Sequence, residues 1–333
     1  VRQPEVTRLA GFLVALLLAL PVVRAARALL VAGLFLAEFL SGGSWPALSR
    51  LTAPPSREAV ATSGPPADRY TGPSRGPRTP LVLVHGLAPD GKDDVRLAAA
   101  AALLARAGFD VAVPTVPGLT RLRLRPEDAA AVVATIAWQP QPAAVVGVSV
   151  GAGVAVLASA EPAVRDRVRL VVSLGGYASA AELVRFYLTG EYAWGDVRGR
   201  IARNPDLIRM FLDANADILD ASARRVLAAG DAAAVDASLR ALSPELRALL
   251  ERLSPERAVR DVAAPLLLVH GRTDPAVPYT ESLRLAAARP VHTHVVLVGL
   301  LGHVEGADMT ERWAALRDLV ALWGVAYRLI SLA

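Results

Sequence analysis

Residues 143–160 read AAVVGVSVGAGVAVLASA, and this stretch decides the fold. Residues 143–148 form a short apolar run of strand length, and 151–160 form a small-residue apolar run of helical length. Between them lies Gly147-Val148-Ser149-Val150-Gly151, a GxSxG pattern. The two glycines permit a sharp strand-to-helix turn and keep side chains away from the serine. Such a turn lifts the Ser149 hydroxyl clear of the sheet. It also sets the hydroxyl near a helix N-terminus, where the Val150 amide can donate to a developing oxyanion. Five residues alone are a weak signal; their place between strand and helix gives them weight.

Outward from this turn, strand-like and helix-like segments alternate from residue 80 onward. Strands are expected at 81–84, 109–113, 143–148, 168–174, 266–269 and 294–298. Helices are expected at 96–107, 126–138, 151–160, 280–288 and 310–323. Alternation of this kind predicts a mostly parallel sheet flanked by crossover helices, and the Val/Leu density suits strands buried on both faces. One connection breaks the rhythm. Residues 176–264 show only helical patterning, with Ser243-Pro244-Glu245 and Ser254-Pro255-Glu256 as two start signals, and are expected to form a helical cap. The core is thus 80–175 plus 265–333.

A serine hydroxyl needs a base to take its proton, and the base needs an acid to fix its tautomer. In a strand–elbow–helix architecture these follow in the order serine, acid, histidine. His303, in Leu301-Gly302-His303, follows the last strand at the carboxyl edge and is the expected base. Asp274, in Gly271-Arg272-Thr273-Asp274-Pro275, follows the preceding strand at the same edge and is the expected acid. Asp261 precedes that strand, at the wrong edge, while Glu305 is too near His303 in sequence to be an obvious partner, though it could stand in. Upstream, residues 81–86 read LVLVHG, and Leu87 is the natural second amide for the oxyanion. His85 is expected to bond its own backbone and to move no proton. His292 and His294 open the last strand at the opposite edge, where no third metal ligand lies nearby. Asp93 and Asp94 are expected to favour the start of the next helix. Whether Phe186, Tyr187, Met210, Phe211 and Leu212 line an apolar substrate pocket or simply pack the cap stays open.

Taken together, the strand-HG loop, the GxSxG elbow, the GRTDPxVP loop and the late GH loop resemble the α/β-hydrolase superfamily over about residues 80–323. The resemblance implies a mostly parallel sheet with a helical cap, Ser149 as nucleophile, Asp274 as acid, His303 as base, and oxyanion amides from Leu87 and Val150. Serine at the elbow separates the chain from dehalogenases and epoxide hydrolases of that superfamily, which carry aspartate there. The expected reaction is cofactor-free, metal-free hydrolysis of a small, apolar carboxylic ester. A thioesterase, serine peptidase or acyltransferase on the same triad, or a catalytically silent scaffold, are the alternatives.

The chain is 333 residues long, 53% hydrophobic and 20% charged, with no cysteine, so disulfides, thiolate metal sites and a cysteine nucleophile are excluded. Its net charge is +5, yet Lys92 is the sole lysine and the arginines form no stripe, so no nucleic-acid partner is expected. Residues 1–40 form a hydrophobic membrane-anchor or signal segment. An apolar run at 9–23 is followed by Arg24 and Arg27 and a second run to residue 40. A straight span across both runs would bury two arginines in hydrocarbon. The segment is therefore expected to be a short anchor with the second run in the interface, a two-helix hairpin, or a cleaved export signal; membrane association is favoured, on an undetermined side. Residues 41–79, rich in Gly, Pro and Ser, are expected to be a linker.

Overall fold

A computed structural model describes residues 3–72, 76, 78–202, 205–299 and 309–333; for 3–18, 207 and 309–312 it describes the backbone alone. Ten strands are found among these residues. They are β1 (Ser56–Val60), β2 (Ala67–Thr71), β3 (Thr79–Val84), β4 (Phe109–Pro114), β5 (Ala143–Val148), β6 (Val168–Leu174), β7 (Glu191–Trp194), β8 (Val197–Arg200), β9 (Leu266–Gly271) and β10 (Thr293–Val298). Eight of them form one sheet in the order β1-β2-β4-β3-β5-β6-β9-β10. From β4 to β10 every neighbouring pair is parallel, whereas β1–β2 and β2–β4 are antiparallel. The parallel sheet is as the sequence predicts.

The helices are α1 (Gln3–Leu40), α2 (Val95–Ala107), α3 (Pro117–Thr120), α4 (Asp128–Trp138), α5 (Val150–Ala160), α6 (Ala180–Thr189), α7 (Pro205–Ala214), α8 (Ala221–Leu227), α9 (Ala232–Arg240), α10 (Pro244–Arg252), α11 (Pro255–Ala258), α12 (Thr280–Ala288) and α13 (Met309–Ile330). Alternation along the strands splits the core in two. Val82, Val84, Val145 and Leu268 face α4, α5 and α12. Leu81, Leu83, Val146 and Leu267 face α1, α2 and α13. Strands that bury both faces read as continuous apolar runs, which is why these were legible.

Three expectations are corrected. Residues 41–79 are not a linker throughout: they supply β1 and β2, the antiparallel edge, and the first residue of β3. Ion pairs join the burial of Ala67 and Tyr70 in holding this edge, with Arg69 bidentate on Asp110 at 2.8 and 2.6 Å and Arg57 and Lys92 converging on Asp68. The stretch 176–264 is not wholly helical either, because β7 and β8 pair as an antiparallel hairpin.

The third correction concerns the N-terminal segment. It is neither a two-helix hairpin nor broken at Arg24 and Arg27; α1 is one helix of 38 residues with Pro21 inside it. Its second half packs on the protein, with Ala28 and Ala32 buried in one cluster with Ala326, Leu329 and Ile330 of α13. Trp323 on α13 donates its indole N–H to the Leu29 carbonyl at 2.9 Å. Below that level, the Glu38 carboxylate accepts the Leu48 and Ser49 amides, both at 2.8 Å. Arg106, in the last turn of α2, donates to the Thr52 carbonyl at 2.5 Å. That turn lies at the amino edge of the sheet, just before β4 begins. Helix α13 ends at the same edge, where the Thr79 hydroxyl donates to the Leu332 carbonyl. Helices α1 and α13 therefore run parallel, both descending from the carboxyl edge to the amino edge.

Candidate active site

The elbow is built by strain and close approach. Ser149 follows β5 with φ 54° and ψ −133°, a backbone conformation that costs a non-glycine residue on the order of 1–3 kcal/mol. Its amide is fixed by donating to the Leu174 carbonyl of β6 at 2.7 Å. Its hydroxyl makes no capping bond to α5, which starts at the next residue, so the first amides of that helix point into the same space.

Two glycines let the loop after β3 close on this turn. A Cβ at Gly86 would lie 3.2 Å from both the Ser149 Cβ and the Val148 carbonyl oxygen. One at Gly151 would lie 2.7 Å from the His85 carbonyl carbon and nearer still to its oxygen. The bare backbones of residues 86 and 151 thus bring the loop carrying Leu87 against the turn carrying Val150. His85 holds that loop from beneath. Its Nδ1–H donates to the Gly86 carbonyl at 2.8 Å, and its Nε2 accepts the Val116 amide at 3.0 Å. Both ring nitrogens are engaged within the protein, and burial pushes the imidazole below its usual pKa. This is the structural role expected of it.

Asp274 follows β9 at the same edge. Its Oδ1 accepts the amides of Ala276 and Val277 at 2.8 and 3.0 Å, an Asx turn that fixes the carboxylate. Its Oδ2 points across the end of β6: a Cβ at Gly175, which adopts φ 64°, would lie 3.1 Å from it. Gly175 follows Leu174, the residue that pairs with Val148 and bonds Ser149, so one strand end separates the Ser149 turn from the Asp274 loop.

Beneath Asp274 lies a residue that sequence reasoning left without a role. His270 is buried, donates from Nε2 to the Val277 carbonyl at 2.8 Å, and accepts from the Ser282 hydroxyl at Nδ1, 2.7 Å away. Its Nε2 is 3.7 Å from Asp274 Oδ2. Burial pushes this imidazole down as well. It fastens β9, the acid loop and α12 together. The insertion contributes Tyr187, whose phenol is pushed up by burial and then by the Asp274 charge. Around it Phe186, Tyr192 and Phe211 form an aromatic cluster with ring centroids 6.0–6.4 Å apart.

His303 and Glu305 lie outside the described residues. Before them, the Gly299 amide past the end of β10 donates to the buried Asp318 carboxylate of α13 at 2.5 Å. Asp94 caps α2 through the amides of Arg96 and Leu97, while Asp93 pairs with Arg57 and Lys92. Asp128 and Glu281 are buried carboxylates that burial pushes upward. Each bonds two backbone amides, Gly118 and Arg125 for the first and Ala178 and Ser179 for the second. Among the described residues no group of three or more His, Asp or Glu side chains could hold a metal ion.

No protein-family model matches the chain, and no curated protein matches it in sequence. Solved structures do match. The 2,6-dihydroxy-pseudo-oxynicotine hydrolase superposes with a TM-score of 0.50 at 16% identity, covering 83% of this chain and 68% of that one. A puromycin hydrolase gives 0.50 at 18% identity, covering 83% of this chain and 39% of its own. At such identities the likeness speaks for architecture alone. With its eight-stranded, mostly parallel sheet flanked by helices and its likeness in architecture to these hydrolases, the chain has the α/β-hydrolase fold.

Proposed function

We propose that this protein is a serine hydrolase that cleaves carboxylic esters through an acyl-enzyme. The observation that carries the proposal is Ser149: a strained, half-buried residue at the tip of a central strand, crowded by two glycines and seated on a helix N-terminus. Backbone strain at a position with no packing role is characteristic of a functional site.

In this reading His303 takes the Ser149 proton as the serine oxygen attacks the ester carbon. The carbonyl electron pair moves onto oxygen, where the amides of Leu87 and Val150 stabilise it. Collapse expels the alcohol, which receives the proton from His303, and water repeats the cycle to release the acid and restore Ser149. Asp274 orients the imidazole. The insertion at 176–264 serves as a cap, with Tyr187, Phe186 and Phe211 lining the acyl pocket. Helix α1 serves as a membrane anchor through the half that precedes Ala28, since the half from Ala28 onward packs against α13; Ala19–Leu40 is long and apolar enough to cross a bilayer by length and composition, a property that a signal segment would share.

The same constellation would also cleave thioesters and amides. A fluorophosphonate probe followed by a chain-length panel of p-nitrophenyl esters, thioesters and aminoacyl amides tests the proposal. Labelling of the wild type but not of Ser149→Ala, with esters turned over best, is the expected result. Labelling of neither protein leaves a silent scaffold.

A further inference from the structure

The apolar surface of α13 continues that of α1, and both lead to the carboxyl edge of the sheet. On α13, Trp313 is 65% exposed, Val320 58% and Leu316 49%; Leu319 and Trp323 are also exposed. The positions 313, 316, 320 and 323 recur at helical spacing and form one stripe. A helix of a folded monomer rarely leaves two tryptophans and three aliphatic side chains open in a row.

What covers the stripe follows from the parallel course of the two helices. Trp323 is level with Leu29 and Gly33. Trp313 lies ten residues earlier, roughly 15 Å toward the carboxyl edge. That brings it level with residues 19–23 of α1, where Leu20, Val22 and Val23 are exposed. The two helices thus present one apolar band there, with the exposed Arg24 and Arg27 just behind it. Beyond this level α1 continues to Gln3, and its apolar run at 9–23 gives roughly 22 Å of apolar helix, most of the depth of a bilayer's hydrocarbon core of about 30 Å. An apolar rod that leaves the body beside an apolar, tryptophan-bearing shelf suits a lipid surface: rod in the hydrocarbon, shelf and arginines at the headgroup level.

The rod leaves at the edge that carries Ser149, Leu87 and Asp274. We infer that this protein rests on a bilayer with the carboxyl edge of its sheet facing the lipid, held by the first half of α1 and by Trp313, Leu316 and Val320 of α13, so that its substrate is an ester drawn from the lipid phase. The docking orientation rests on the membrane reading of α1, and the substrate class rests on the serine hydrolase reading.

Tryptophan quenching on the full chain tests the orientation. The protein is bound to vesicles of equal parts phosphatidylcholine and phosphatidylglycerol, with and without brominated acyl chains. Trp45 is the control, since it is exposed but follows the end of α1 at the amino edge. Bromolipid quenching should largely vanish in Trp313→Phe and persist in Trp45→Phe; the reverse pattern, or failure of the wild type to float with vesicles, overturns the inference. The triple variant Trp313→Ser/Leu316→Ser/Val320→Ser should lose about tenfold or more in turnover of a vesicle-embedded ester while keeping its rate on a soluble one. Equal rates on both substrates overturn it, as does a wild-type dimer that this variant converts to monomer, which would make the stripe a contact between copies. Absence of turnover on any ester, with Trp313 still quenched, would refute the hydrolase reading and leave the docking intact.

Discussion

Replacing Gly151 with alanine tests whether the HG loop belongs to the site. The new Cβ would stand 2.7 Å from the His85 carbonyl carbon, against about 3.4 Å for ordinary contact, and its neighbours are backbone that no rotamer change can clear. Either α5 or the loop at residues 85–87 must shift, by roughly 1 Å. The helix is buried on nearly every face, so the loop is the part that gives. Its displacement withdraws the Leu87 amide from the oxyanion while leaving the Ser149 side chain in place. Loss of one such donor, or misplacement by about 1 Å, costs about 10²–10³-fold in kcat, equivalent to 2.7–4 kcal/mol. The assay is steady-state hydrolysis of a short p-nitrophenyl ester, in which kcat should fall about 100-fold and KM should barely move.

Stability is the confounder, and Gly153→Ala controls for it. A Cβ there meets the buried Tyr177 ring, 2.7 Å from Cζ, on the same helix but away from the loop. It should lower the melting temperature at least as much as Gly151→Ala and leave the folded fraction's kcat near wild type. Gly86→Ala, at 3.2 Å from the Ser149 Cβ, should fall between the two in kcat. A folded Gly151→Ala that keeps the wild-type kcat would refute the placement of the oxyanion donors, as would equal kcat losses in the Gly151 and Gly153 variants.

Three further outcomes are expected. Ser149→Ala should lower ester hydrolysis by about four orders of magnitude or more with an unchanged melting temperature, read by stopped assays and calorimetry. Asp274→Asn should keep the fold, because its side-chain oxygen can still accept the Ala276 and Val277 amides, yet lower kcat about 10⁴-fold by favouring the wrong imidazole tautomer. His85 and His270 are held below their usual pKa near 6.5, so the unfolded chain binds their protons first. Their contribution is complete above pH 6.5 and lost as pH falls below it, at about 1.4 kcal/mol per pH unit for each group. Denaturant titrations between pH 7.5 and 5.5 should show a shallower slope in His270→Gln than in the wild type; identical slopes would mean that His270 does not titrate in this window.

The legible and illegible parts of the sequence differ for physical reasons. Strands β3, β4, β5, β6 and β9 bury both faces and announce themselves as apolar runs. Strand β1, SREAV, is an exposed edge with no apolar face, and β2 depends on Asp68 and Arg69 pairing with distant charges; local periodicity records neither. The β7–β8 hairpin did leave a signal, the two-residue Gly195-Asp196 loop with Gly195 at φ 55°, but its strands are only four residues each. The continuity of α1 was hidden because hydropathy reports surroundings: the arginines that interrupt the apolar run are exposed on the helix without breaking it. At the candidate site, Ser149, Leu87, Val150 and Asp274 were legible from motif and strand order. His270 was not, since its importance lies in its bonds to Val277 and Ser282, and for Tyr187, named as a pocket candidate, the nearness to Asp274 across 87 residues of chain was not.

The partners of Asp274 bear on which oxygen is left for a base. Oδ1 is committed to two backbone amides. His270 approaches Oδ2 at 3.7 Å, but its Nε2 proton is directed to the Val277 carbonyl at 2.8 Å, so it supplies neighbouring polarity without a hydrogen bond. Gly175 removes the side chain that would otherwise crowd Oδ2. Among the described residues no hydrogen bond reaches this oxygen, although it sits where β6, β9 and the insertion meet. In the proposed mechanism β5 carries the nucleophile and β9 the acid, and β10 is the neighbour beyond β9. His303 is the one histidine that follows that strand in the sequence. In the proposed mechanism the base must serve both Oδ2 and the Ser149 hydroxyl, and Gly175 leaves the turn between them without a side chain.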